Sequence, residues 1–293
     1  MRCSVRRTVK ALALAAAVLA AGCSRTSFVY DHLDWVVDWR LHDYVEFQGE
    51  QRDLFSQDFD TLWDWHRSTQ LPRYAAELRA VAGEKLPLTA ARVHELDETL
   101  ADHARRVLAE AVHASVPSYR QLTDAQVADI LKGLDAQTEK ARAKLGPREE
   151  RDAHDAEMLT KRIEDWTGRL FEDQAQLIQE WAGTREDTAA LWVENRKQWR
   201  DRFAKVLAAR HSRDFEMRLQ QHFLEGRAHW SEALRRGVDA NRVAGERLAV
   251  DLLASLTPEQ QEQLRLHLRK LAGDLEALSR EAPRSTATKT AQK

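Results

Sequence analysis

The chain has 293 residues, with 45 Lys and Arg against 47 Asp and Glu, a formal net charge of −2, and 43% hydrophobic residues. So even a balance excludes the basic patch needed to grip nucleic acid or an anionic bilayer, and two cysteines exclude a disulfide-built scaffold. The length permits one large domain or two modest ones, each with a substantial core.

Residues 1–22 read as an export signal: Arg2, Arg6, Arg7 and Lys10, an apolar run from Ala11 to Ala21, then Gly22. As a helix that run spans about 16 Å, roughly half of a hydrocarbon core, too short for a stable anchor. The stretch Leu19-Ala20-Ala21-Gly22-Cys23 resembles the lipobox of bacterial lipoproteins, where cleavage frees a Cys already thioether-linked to diacylglycerol. The resemblance implies cleavage after Gly22 and lipid on Cys23. Since Cys3 leaves with the signal, no thiol remains for a disulfide, a metal or a nucleophile. One acyl chain binds a membrane reversibly, whereas the three expected on a mature lipoprotein would hold it there. Ser24 resembles the sorting pattern that sends such proteins to the outer membrane, here on its periplasmic face. The mature chain would have 293 − 22 = 271 residues and, without four basic ones, a net charge of 41 − 47 = −6.

Residues 23–27 then form a short tether, and 28–280 predict an all-α body, an elongated multi-helix bundle with long helices. Only 11 Gly and 6 Pro occur, and no β-branched run alternates with polar residues. Phe55, Phe59, Leu62 and Trp63 keep a helical period, as do Leu191, Asn195, Trp199, Arg202, Phe203 and Val206. A longer pattern from Phe215 through Leu219, His222, Phe223, Trp230, Leu234 and Val238 to Leu252 predicts one helix of about forty residues. Breaks are expected at Leu71-Pro72, Gly83 to Pro87, Val116-Pro117, Gly146-Pro147, Gly168, Gly183-Thr184 and Leu256-Thr257-Pro258. Gly146-Pro147 also marks a possible boundary between two subdomains. Residues 281–293 hold no apolar side chain larger than Ala apart from proline, and are expected to be a disordered tail.

One signature recurs. Leu122-Thr123-Asp124-Ala125-Gln126 and Leu256-Thr257-Pro258-Glu259-Gln260 share L-T-x-x-Q, with degenerate copies at 47–51 (FQGEQ), 170–174 (LFEDQ) and 88–92 (LTAAR). Thr123 and Thr257 suit helix N-caps, and Gln126 and Gln260 suit the reciprocal partner of a capping box. The motif equally allows a recognition surface. It resembles the signature of the periplasmic Spy and CpxP proteins, which implies an envelope chaperone or stress factor. A wider resemblance, to an uncharacterised family of proteobacterial lipoproteins of unknown function, rests on several landmarks. These are Tyr30, Asp34-Trp35, Trp65-His66-Arg67, Leu71-Pro72-Arg73-Tyr74, Leu122 to Gln126, Trp166 to Leu170, and Arg196 with Trp199.

The candidate binding cluster is Trp65, His66, Arg67, Arg73 and Tyr74, where cations and rings within a short stretch can hold an anionic group. The alternative is structural, with Arg67 capping the last carbonyls of a helix that Pro72 stops. Trp35 and Trp39, one turn apart, suit either a bilayer interface or the core. No catalytic residue is identified, for there is no G-x-S-x-G, P-loop or dinucleotide fingerprint. Metal ligation is not expected either: His94-Glu95 lacks a second His, and His222 and His229 stand two turns apart. The sequence thus points to a non-enzymatic outer-membrane lipoprotein, without cofactor, metal or nucleic acid. Its partners would be the membrane, through lipid on Cys23, and an envelope protein or peptide. A Spy-like chaperone and a small-ligand or metal binder are the alternatives.

Overall fold

The computed structural model describes residues 44–281, all of whose regular elements are helical. The export signal, Cys23, Trp35, Trp39 and residues 282–293 lie outside the described residues. Helix α1 (Glu50–Trp65) continues through a π-turn (His66–Gln70) into α2 (Leu71–Gly83). The long α3 (Ala90–Arg120) follows, then α4 (Asp124–Ala143), α5 (Arg148–Thr167) and α6 (Glu172–Thr184). The chain ends with α7 (Ala189–Ala208), α8 (Phe215–Leu224), a 3-10 turn (Gly226–His229), α9 (Glu232–Ser255) and α10 (Pro258–Ser279). The all-α bundle is therefore the fold.

Three expected breaks or runs come out differently. Pro117 lies inside α3: it is exposed and close to the helix end, so the single bond its missing N–H forfeits does not stop the chain. Leu71-Pro72 is not a stop. The π-turn widens the helix by a residue, Ser68 and Thr69 hydroxyls donate to the carbonyls of Asp64 and Trp65 (2.6 and 2.7 Å), and Pro72 falls in the first turn of α2. The helix therefore does not end where the cap was expected of Arg67. The forty-residue helix is two helices: α8 ends at Leu224, the chain turns through Gly226–His229, and Ser231 caps α9 by accepting from Leu234 N at 3.2 Å.

The packing follows one plan used twice. Helix α1 lies on α3 and α6 lies on α9, while α2 crosses to α10 and α7 crosses to α4. Ion pairs fasten both crossings, Arg79 to Glu276 in a fork of 2.6 and 2.8 Å and Arg200 to Asp135 at 2.7 Å. The N-terminal core gathers Val112, Ile130, Phe203, Leu207, Phe215 and Leu219, and the second gathers Ala156, Leu170, Ile178, Ala182, Leu248 and Leu252. Gly168, between α5 and α6, takes φ 80°, and a Cβ there would lie 2.3 Å from Gln263 Oε1. The positive φ is what calls for glycine at that turn, and a side chain there would also displace the Gln263 carboxamide.

Candidate functional site

The recurring motif does more than start helices. Thr123 Oγ1 accepts from Gln126 N and Thr257 Oγ1 from Gln260 N, both at 3.2 Å, while Gln126 and Gln260 Oε1 accept from the backbone N–H of Thr123 and Thr257 at 2.9 and 3.0 Å. These are complete capping boxes. Phe171 offers no oxygen and Gln48 none that is used, yet Gln174 and Gln51 still accept from their N–H groups at 3.0 and 3.2 Å. Thr89 accepts from Arg92 N, and Arg92 forks onto Glu84 instead of pairing with another motif. Replacing Thr123 or Thr257 with Ala should each lower stability by about 0.5–2 kcal/mol, with Thr123→Ser close to neutral. Unchanged melting in both alanine variants would contradict the caps.

The four glutamines then pair across the bundle. Gln51 and Gln126 exchange amide hydrogen bonds at 3.0 and 2.7 Å, and Gln174 and Gln260 do so at 2.8 and 2.9 Å. Each spends its second N–H on the carbonyl of the residue just before the other's motif. Gln51 donates to Gln121, Gln126 to Glu46, Gln174 to Ser255 and Gln260 to Arg169. Every donor and acceptor of the four carboxamides is used. Arg210, buried at the end of α7, adds a further tie at the first pair by donating to Leu122 O (2.8 Å), Leu207 O (3.2 Å) and Asp124. That bond from Arg210, and then its charge, hold the Asp124 carboxyl below the usual carboxylate range.

Beside the Gln51–Gln126 pair opens an apolar pocket of about 380 Å³. Tyr44, Val45 and Phe47 form its wall where the described chain begins, joined by Phe55 of α1 and by Leu108, Val112 and Tyr119 of α3. Ile130 and Leu134 of α4, Trp199 and Phe203 of α7, and Phe223 of α8 close the rest. Among the described residues, no lining side chain carries a charge. Burial pushes the Tyr119 hydroxyl up to about 12, so it stays protonated.

From this pocket a file of rings runs along α1. Phe47 stacks on Phe55 at 5.0 Å, Phe59 on Trp63 at 5.6 Å, and Trp63 meets His66 at 6.2 Å. His66 then meets Tyr74 at 5.7 Å, and Tyr74 stands edge-on to His103 at 4.8 Å. Two of the five cluster residues, His66 and Tyr74, thus belong to one aromatic file, and burial lowers the His66 pKa. Trp65 is half-buried at the end of α1. Arg67 is buried and turned to Asp64 at 3.1 Å and Glu281 at 3.7 Å, whereas Arg73 is exposed in a groove with Glu77, Asp102 and Arg106. The two guanidinium groups face different surroundings. Among the described residues no three His, Cys, Asp or Glu side chains converge as a metal site, and no helix is long and apolar enough to cross a membrane.

The pocket is the feature that reading the sequence missed. Its walls were legible only as apolar helix faces, because five helices must assemble before the space between them exists.

Fold and site together define a helical bundle whose helix starts are cross-bonded in pairs and whose described side chains line an aromatic pocket. Residues 43–235 match the family of unknown function DUF6279, and the chain belongs to that family. No curated protein and no solved structure matches it.

Proposed function

We propose that the chain is a non-enzymatic envelope lipoprotein, anchored by lipid on Cys23 to the periplasmic face of the outer membrane, whose helical body captures an apolar group of an envelope partner. The observation that carries this reading is the uncharged pocket beside the Gln51–Gln126 pair. An aromatic-lined concavity of this volume suits ligand capture, and its lining includes Tyr44, Val45 and Phe47, so the capture site lies towards the lipid-bearing end of the chain. Anchoring rests on the lipobox-like sequence alone.

A photoreactive phenylalanine placed at Leu108, which is 37% exposed at the rim, tests the reading against one at Leu100, which is 68% exposed on the same helix. Reproducible adducts from position 108 and not from 100, in whole envelopes, are the expected result. Cys23→Ala should move the protein to the soluble periplasmic fraction and reduce these adducts. Equal labelling from both positions would remove the pocket from the proposal, and tight membrane association of Cys23→Ala would remove the lipid anchor.

A second reading, a Spy-like chaperone, is favoured by the L-T-x-x-Q motifs. Suppression of client aggregation by the Cys23→Ala protein would distinguish it.

A further inference from the structure

We propose that the group entering the aromatic pocket is a fatty acyl chain. This rests on the reading of the pocket as a capture site and names the chemistry of what is captured.

The walls decide among ligand classes. Among the described residues that line the pocket there is no Asp, Glu, Lys, Arg, His, Asn or Gln, so they offer a charged ligand no ionic or amide anchor. The polar side-chain groups that remain among them are four hydroxyls, on Tyr44, Ser115, Ser118 and Tyr119, and the indole N–H of Trp199. Two have their protons committed: Ser115 Oγ donates to Val112 O at 2.9 Å and Ser118 Oγ to Asp58 Oδ2 at 2.7 Å. A peptide segment brings an N–H and a C=O with every residue, and each must find a partner once buried. The described lining has no series of donors and acceptors to meet them. A helical peptide satisfies its own backbone but is about 10–12 Å across, too thick for a space of 380 Å³. A hydrocarbon chain asks for no hydrogen bond, and flat rings from Phe55, Trp199, Phe203 and Phe223 give it contact on several sides. The carboxyl or glycerol end would remain outside, in water or at the membrane surface.

Reach is no obstacle to a membrane source. Twenty residues, 24–43, separate Cys23 from Tyr44, and a chain of that length spans at most about 70 Å. The acyl group can therefore come from the protein's own anchor or from another lipid or lipid-bearing molecule of the same membrane.

The test uses full-length protein in phosphatidylcholine vesicles, palmitic acid bearing a photoreactive diazirine, and mass spectrometric mapping of the adducts. Wild type and Cys23→Ala are compared. Adducts on α1, α3 and α7 residues of the pocket in both proteins, competed at least tenfold by unlabelled palmitate, are expected for an outside source. Pocket adducts in Cys23→Ala alone also support the proposal and identify the protein's own anchor as the occupant in wild type. Ser115→Trp, which fills the space, should abolish pocket labelling. Ala111→Phe serves as a second filling variant if Ser115→Trp melts below wild type. Absence of pocket adducts from Cys23→Ala, or their persistence in both filling variants, overturns the acyl assignment. A photoreactive apolar peptide added in parallel separates the two levels. Peptide labelling of the pocket that palmitate cannot compete rejects the acyl chain and keeps the capture site, whereas labelling by neither probe rejects both.

Discussion

Replacing Gln174 with Leu is expected to lower stability by about 2–4 kcal/mol, because at least two buried groups lose a partner at about 1–3 kcal/mol each. Gln174 is 1% exposed and Gln260 5%, so no water replaces the missing carboxamide. The substitution orphans Ser255 O, removes one acceptor and one donor from Gln260, and frees Phe171 N. For a body of this size the loss corresponds to a melting temperature lower by about 5–15 °C. Gln51→Leu, at the half-buried pair, should cost about 1 kcal/mol, since solvent can reach the groups it leaves. The coupling in a Gln174/Gln260 double-mutant cycle should be about 1–3 kcal/mol. A Gln174→Leu protein melting within a degree of wild type would refute the account of the pairs as structural ties.

Acid should destabilise the bundle well before its carboxylates titrate, chiefly through His222, with His66 acting in the same sense. Its ring lies 4.6 Å from Trp199, 5.2 Å from Phe203 and 5.4 Å from Phe223, and its Nε2 has no hydrogen-bond partner among the described residues. Burial first, then the positive charges of Arg202 and His229, push its pKa down from 6.5 to about 4. The unfolded chain therefore takes up this proton before the folded one does. The contribution of neutral His222 is complete above pH 6.5 and is lost as pH falls from there to 4, by about 2 kcal/mol at pH 5 and about 3 kcal/mol at pH 4. His113, bonded to Glu216 at 2.7 Å, is shifted upward and acts in the opposite sense, but it is 63% exposed and screened. Denaturant titrations of wild type and His222→Leu at pH 7 and pH 5 isolate the effect. The stability difference between the two proteins should move by about 2 kcal/mol over that interval, and an unchanged difference would exclude His222 as the acid-sensitive group.

What the sequence made legible was what neighbouring residues decide among themselves. Thr123 with Gln126 and Thr257 with Gln260 are three apart, so their caps follow from local geometry, and Gly146-Pro147 separates α4 from α5 for the same reason. The join between α8 and α9 was masked because Phe223, Trp230 and Leu234 happen to keep a helical period across a turn; Gly226 and Ser231 were the available signals. Arg67 and Arg73 looked like one clamp in sequence, yet Arg67, inside the π-turn, is buried, while Arg73, in the first turn of α2, lies on the surface. The glutamine pairs were beyond reach in principle. Their members stand 75 and 86 residues apart, and nothing in a single L-T-x-x-Q copy states which other copy faces it.

The cross-bonded helix starts also set how small the protein can be made. The family match ends at residue 235, one turn into α9, and so stops short of both Gln260 and α10. A chain trimmed to that limit would keep Gln174 while discarding its only carboxamide counterpart, and would strip from α2 the helix it lies on. Sequence kinship and cooperative unfolding therefore have different borders here. The body continues through α10, and recombinant boundaries drawn from similarity alone would cut through it.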